Sequence, residues 1–111
     1  MAASDFDSNL QELHRKSVGR LLAADAYDDD AFAALKTYLC EKAELIKVEH
    51  VISKQVLDAL LSAAKAIESR AEYVPATQKG LSRAAEFYML LDLMVIGEGC
   101  NDRPTGVPRA R

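Results

Sequence analysis

The stretch from Thr77 to Ile96 changes from half polar to almost wholly apolar partway along its length. Its first half has the period of an amphipathic helix, with one side facing a core and the other facing water. From Phe87 onward the only polar groups are the Tyr88 hydroxyl and the carboxylate of Asp92. A helix that is apolar all round has to be covered all round. This run is much shorter than the roughly twenty apolar residues of a membrane span, so we expect the cover to be protein and not lipid.

The helical wheel of this stretch divides its residues between two sides. The predicted core side carries Leu81, Ala84, Ala85 and Tyr88, and the predicted exposed side carries Lys79, Arg83 and Glu86. Leu90 and Leu93 continue the exposed side, so we predict that the core of one chain does not need them and that a second chain covers them. Asp92 is either a charge at the rim or a register residue that fixes how two helices pair. The predicted dimer or partner interface comprises Phe87, Met89, Leu90, Leu93, Met94 and Ile96.

Three amphipathic segments precede this stretch. The first is a narrow N-terminal arm helix within residues 1–27, which Asp5 or Ser8 caps and which ends near Ala24. The second helix is predicted over 30–47 and the third over 54–73. The predicted buried positions are Leu10, Leu13, Ser17 and Leu21 in the first helix, Phe32, Leu35, Leu39, Ala43 and Ile46 in the second, and Val56, Leu60, Ala63, Ile67 and Ala71 in the third.

The connections between these helices are less regular. Residues 47–53 either continue the second helix into the third or form a joint at which Ser53 caps the third helix. Residues 74–76 are predicted to form a turn, because Pro75 disfavours helical geometry in the residue before it. Thr77 then caps the last helix and Gly97 ends it.

The pattern as a whole predicts an all-α protein. We expect a single domain over residues 1–96, built as a small bundle or hairpin of about four helices that dimerisation completes. Residues 97–111 contain three glycines, two prolines and little to bury. We therefore predict a disordered C-terminal tail over 97–111.

Composition and charge favour a cytoplasmic protein that binds other proteins. The net charge is −3, and no helix offers the clustered basic face that neutralises phosphates, so direct nucleic-acid binding is not expected. The N-terminus has neither a basic leader nor an apolar run, and we expect no membrane association. Cys40 and Cys100 show no metal-ligand or redox spacing, so two reduced thiols are expected in the cytoplasm.

The sequence offers little for catalysis. A carboxylate metal site in a helical bundle needs Glu-x-x-His pairs, but Gln11 stands three residues before His14 and Lys47 three residues before His50. No Gly-rich phosphate loop or nucleophile elbow is present. A helix-turn-helix over 77–86 fails because the next helix presents apolar side chains where a recognition helix needs polar ones. We expect no enzyme activity, no catalytic residue, no metal and no cofactor.

The second half of the chain resembles a known family. The helix VLDALLSAAKAIESRAEYVP, the cap TQ and the closing helix SRAAEFYMLLDLMVIGEG are similar to the TraM-like quorum-sensing anti-activators of Gram-negative bacteria. The resemblance implies a homodimeric helical protein that binds the ligand-binding domain of a LuxR-type, LasR-like transcription factor. Such binding blocks dimerisation and DNA binding of the activator and represses quorum-sensing output. The alternative is a helical assembly or chaperone subunit or a toxin-neutralising protein, for which the same apolar helix would serve.

Overall fold

The computed structural model describes residues 6–49 and 51–100, which form five helices and no strand. Helix α1 is continuous through three segments: it is α-helical over Ser8–His14, π-helical over Arg15–Gly19 and α-helical again over Arg20–Ala24. The other helices are α2 over Asp29–Ile46, α3 over Lys54–Ala71, the short α4 over Pro75–Gln78 and α5 over Leu81–Val95. The predicted all-α fold is confirmed.

Helices α1 and α3 lie side by side and run parallel. Three hydrogen bonds connect them at the same sequence offset of 48, and they join Asp7 to Gln55, His14 to Ser62, and the Leu22 carbonyl to Arg70. Since both helices rise by the same amount per residue, a constant offset keeps the two chains in register along their whole length.

Helix α2 runs antiparallel to α1. Asp28, the N-cap of α2, lies 3.7 Å from Arg20 near the end of α1, and Lys42 in the last turns of α2 lies 2.9 Å from Asp7 at the start of α1. Arg83 near the start of α5 pairs with Asp29 at the start of α2. Cys100, just after α5, is bonded to Cys40 in the second half of α2, so α5 runs in the same direction as α2. The four long helices therefore alternate in direction around one buried cluster.

The buried positions of α2 and α3 are the predicted ones, and every one of them is buried. In α1, Leu10, Ser17 and Leu21 are buried and Leu13 is half-buried. The joint before α3 is present as well, because the Ser53 hydroxyl accepts the Val56 N–H at 3.2 Å and α3 begins at the next residue. A periodic apolar stripe was sufficient to place these helices.

The entry into α5 differs from the prediction. Thr77 does not cap α5; it lies within α4, where it is fully buried. Pro75 begins α4 because its fixed φ suits the first position of a helix. Gly80 then separates α4 from α5, and a Cβ at Gly80 would lie only 2.6 Å from the Tyr27 ring. The predicted single helix over 77–96 is therefore two helices in the structure, with Lys79 and Gly80 between them.

The structure describes the first four residues of the predicted tail, 97–100, and places them beside α2. Gly97 ends α5 as predicted, with a φ of 79°. The Glu98 N–H donates to the Leu93 carbonyl at 2.8 Å, and Gly99 is buried against Glu44. Residues 101–111 lie outside the described part of the chain.

The two cysteines form a disulfide that joins Cys100 to Cys40 of α2. The prediction of two reduced thiols is therefore wrong. The two cysteines are separated by 60 residues in the sequence and come together only because α5 packs beside α2. Local spacing motifs therefore could not reveal this pair.

Candidate functional site

The buried side of α5 is not the side that the sequence pattern indicated. Leu90 is 2% exposed and Leu93 is 6% exposed within a single chain. Phe87 and Met94 are buried beside them, and the Phe87 ring lies edge-on to Phe32 of α2 at 6.4 Å. The prediction that the core of one chain does not need Leu90 and Leu93 is therefore wrong.

Ion pairs lie on the side of α5 that faces α2. Glu86 accepts a hydrogen bond from Lys36 of α2 at 2.7 Å, and Arg83 lies 3.3 Å from Asp29 and 3.0 Å from Glu86. Because charges of α2 pair with these two side chains, their side of α5 can lie against α2 without leaving a charge unpaired. The apolar residues that continue this side then enter the core. The hydrophobic pattern alone treats every charge as solvent-facing, which is why it assigned the wrong side.

The opposite side of α5 is left exposed and is largely apolar. We call it the outer face, and it consists of Leu81, Ala85, Met89, Val95 and Ile96. Met89 is 58% exposed, Val95 is 67% exposed, and Leu81 and Ile96 are each 46% exposed. The outer face runs the length of α5, about four helical turns.

The structure divides the predicted interface residues into two groups. Met89 and Ile96 lie on the outer face, whereas Phe87, Leu90, Leu93 and Met94 belong to the interior of one chain. Asp92 is exposed among the apolar residues of the outer face. Both predicted roles of Asp92, the charge at a rim and the register residue, stay predictions.

A polar groove lies beside the start of α5. Its volume is about 670 Å³, and its lining residues are Tyr27, Asp29, Ala76, Lys79, Ser82, Arg83 and Glu86. The Tyr27 ring stacks on Phe32 at 5.2 Å and its hydroxyl donates to Asp29 at 2.7 Å. Burial and the Asp29 carboxylate raise the pKa of Tyr27, while the bonds from Tyr27 and Arg83 lower the pKa of Asp29. Tyr27 and Arg83 both bond to Asp29, so this network connects the start of α5 to the start of α2.

His14 and Ser62 form a second polar contact, at 2.7 Å between Nε2 and Oγ. Burial lowers the pKa of His14, although the charge of Asp58 partly offsets this effect. A hydrolytic triad needs a carboxylate bonded to the histidine and donors for an oxyanion. The contacts of the described residues include no hydrogen bond between His14 and Asp58, and the N–H groups around Ser62 serve the interior of α3. The pair joins α1 to α3 and lacks the geometry of a nucleophile.

Within residues 6–49 and 51–100, no group of His, Cys, Asp and Glu side chains is arranged to hold a metal ion. No helix in this part of the chain is long and apolar enough to cross a membrane. Comparison with protein-family models, curated proteins and solved structures found no match to this chain. The candidate functional site is therefore defined by geometry alone, and it is the outer face of α5.

Proposed function

We propose that this protein is a cytoplasmic, non-catalytic anti-activator that binds a LuxR-type, LasR-like transcription factor. The observation that carries the proposal is the outer face of α5. It exposes four large apolar side chains on a helix whose other sides are already packed. Contiguous apolar patches on a protein surface mark interaction sites. The resemblance of the closing helix to TraM-like anti-activators supplies the class of the partner.

The proposed partner binds the outer face in an apolar groove, which is how many proteins bind an amphipathic helix. In this mode, anchors spaced by three, four or seven residues enter one apolar groove. Leu81, Ala85 and Met89 follow one another at intervals of four residues, and Ile96 follows Met89 at seven. The dimerisation surface of the activator's ligand-binding domain is the proposed groove, so binding would keep the activator monomeric and off its operator.

We also propose that the free protein is a homodimer through the same face. Each large side chain of the outer face is about half exposed, which leaves about 1 kcal/mol of burial to be gained from each. A twofold dimer makes every contact twice, so the four side chains contribute about 8 kcal/mol. Association itself costs on the order of 4 kcal/mol or more in lost translational and rotational freedom, so this burial supports a weak dimer.

The test is to add the purified protein to a preformed complex of a LuxR-type activator with its operator DNA. The complex should dissociate, and the protein alone should leave the DNA unshifted because its net charge is −3. The Met89→Glu variant is the control and should fail to dissociate the complex. A protein that shifts DNA by itself, with a steep dependence on salt, would contradict the proposal.

Capture of partners from lysate separates this function from that of an assembly subunit, chaperone or toxin-neutralising protein. A transcription factor retained by the wild-type protein and lost with Met89→Glu supports the anti-activator. A toxin or an assembly component retained in the same way contradicts it.

A further inference from the structure

The disulfide between Cys40 and Cys100 closes a large part of the chain into one loop. The two cysteines are separated by 60 residues, and the loop between them contains the end of α2 and the whole of α3, α4 and α5. A cross-link restricts the unfolded chain more strongly when the loop that it closes is long. In the chain-entropy model, a loop of this length changes the equilibrium constant for unfolding by about a thousandfold. The bond is therefore placed where it affects the stability of the whole bundle.

The packing of α5 in the bundle has support besides this bond. Phe87 and Leu90 belong to the buried core cluster, and Glu86 pairs with α2. The Tyr88 hydroxyl donates to Glu68 of α3 at 2.7 Å. We therefore expect the helices to stay assembled when the cysteines are reduced, so that reduction lowers the free energy of unfolding and leaves the fold unchanged.

We propose that Cys40 and Cys100 form a redox-controlled staple of the whole fold, which glutathione disulfide closes and reduced glutathione opens. Both cysteines pack against the core cluster but are only half-buried, so a small thiol can reach their sulfur atoms. Their Cα atoms lie 5.6 Å apart, which is a usual separation for a disulfide. Folding thus brings the two thiols together, and the closed bond in turn favours the folded chain.

Closure is an oxidation of the protein by glutathione disulfide. The thiolate of one cysteine attacks a sulfur of glutathione disulfide, which forms a mixed disulfide and releases one glutathione thiolate. The thiolate of the other cysteine then attacks the cysteine sulfur of the mixed disulfide and releases the second glutathione thiolate. The two protons of the cysteine thiols end on the two glutathione thiolates, and two electrons pass from the protein to glutathione. Opening is the reverse reaction with two molecules of reduced glutathione.

The consequence of the staple is a lifetime that depends on the redox state. Proteases cleave the unfolded chain, and its population governs the rate of degradation when unfolding and refolding are fast relative to cleavage. A closed staple lowers this population, so an oxidising change in the glutathione pool preserves the protein. The staple is independent of the proposed function, because it requires no partner.

The experiment compares the oxidised and the reduced full chain. One sample is equilibrated with glutathione disulfide and the other with a large excess of reduced glutathione, and alkylation followed by intact mass counts the free thiols. Urea unfolding followed by circular dichroism then measures the equilibrium constant for unfolding. We expect both thiols to be free only in the reduced sample, the same helical signal before urea is added, and an equilibrium constant about a thousandfold larger for the reduced protein. The variant with Cys40→Ser and Cys100→Ser is the control and should match the reduced protein in both buffers.

Three results would overturn the staple. One is a disulfide that persists in the large excess of reduced glutathione, and another is an equilibrium constant that differs by less than about tenfold between the two samples. The third is loss of the helical signal on reduction without urea, which would mean that the fold requires the bond. Cleavage of the same samples by an added protease tests the lifetime. It should be slower for the oxidised protein, and equal rates would refute this consequence.

Discussion

Asp7 joins the start of α1 to two other helices, and its removal tests how the bundle is held together. One carboxylate oxygen accepts the N–H groups of Asn9 and Leu10 at 3.0 and 3.1 Å, which caps α1. The other oxygen accepts from the Tyr38 hydroxyl at 2.7 Å and from Lys42 at 2.9 Å. The side chains of Asp7 and Lys42 are only 10% and 12% exposed, so this ion pair is shielded from water.

The pKa shift of Asp7 and the cost of comparable substitutions both give the expected loss of folding free energy. Burial alone would raise the pKa of Asp7, but the hydrogen bonds from Tyr38, Lys42 and Leu10 lower it from 3.8 to about 2. That shift corresponds to about 2.5 kcal/mol of folding free energy. Breaking a buried ion pair and losing a helix cap costs about 3 to 5 kcal/mol in comparable proteins. We expect Asp7→Ala to lower the free energy of unfolding by about 3 to 5 kcal/mol at pH 7.

The control variant is Asp7→Asn, which keeps the cap and the contact with Tyr38 but loses the charge. It should cost about 1.5 to 3 kcal/mol, because the amide nitrogen that faces Lys42 cannot accept its hydrogen bond and the ion pair is lost. Urea unfolding followed by circular dichroism measures all three proteins. A loss below about 1 kcal/mol for Asp7→Ala would refute the reasoning, since it would mean that Lys42 reaches water without this partner.

The same pKa shift gives a dependence on pH with a definite sign. The folded-state pKa of Asp7 lies below its unfolded value, so its contribution is fully present above pH 3.8 and is lost as the pH falls through about 2. Wild-type protein should lose about 2.5 kcal/mol more than Asp7→Asn between about pH 5 and about pH 1. Equal losses in the two proteins would contradict the assignment.

Three further changes test other parts of the fold. Burial lowers the pKa of His14 in the folded state, so its contribution to stability is present above pH 6.5 and declines as the pH falls below that value. His14→Gln should flatten this decline in unfolding curves measured at successive pH values. Gly80→Ala places a Cβ 2.6 Å from the Tyr27 ring and should lower the free energy of unfolding by about 1 to 3 kcal/mol in urea titrations. Leu90→Ala removes a side chain that is 2% exposed and should cost about 2 to 5 kcal/mol by the same assay, whereas Met89→Ala should cost less than about 1 kcal/mol.

Apolar periodicity predicted α2 and α3 because each has a single stripe and a polar remainder. Phe32 to Ile46 and Val56 to Ala71 recur at helical spacing, and burial of one stripe decides the orientation. In α5 almost every residue after Glu86 is apolar, so burial of either side is compatible with the pattern. The buried side is the one whose charged residues pair with α2, and these partners lie 50 or more residues away in the sequence.

The candidate site was only partly predictable for the same reason. An apolar surplus in α5 was evident from the sequence, and the structure leaves an apolar face uncovered. Which residues form that face depended on the rotation of α5, so Met89 and Ile96 were identified and Leu81, Ala85 and Val95 were not. The disulfide was missed because no local spacing connects Cys40 to Cys100.

The central proposal is that the outer face of α5, and not Leu90 or Leu93, joins two copies of the protein. Light scattering of the variant with Met89→Glu and Ile96→Glu tests it most directly, with circular dichroism to show that the helices remain. The matched control is Leu45→Glu with Val48→Glu, since these two side chains are at least as exposed as Met89 and Ile96 but lie at the end of α2 and just after it. We predict a dimer for the wild-type protein and the control and a helical monomer for the outer-face variant. A wild-type monomer, or an outer-face variant that remains a dimer, would contradict the claim.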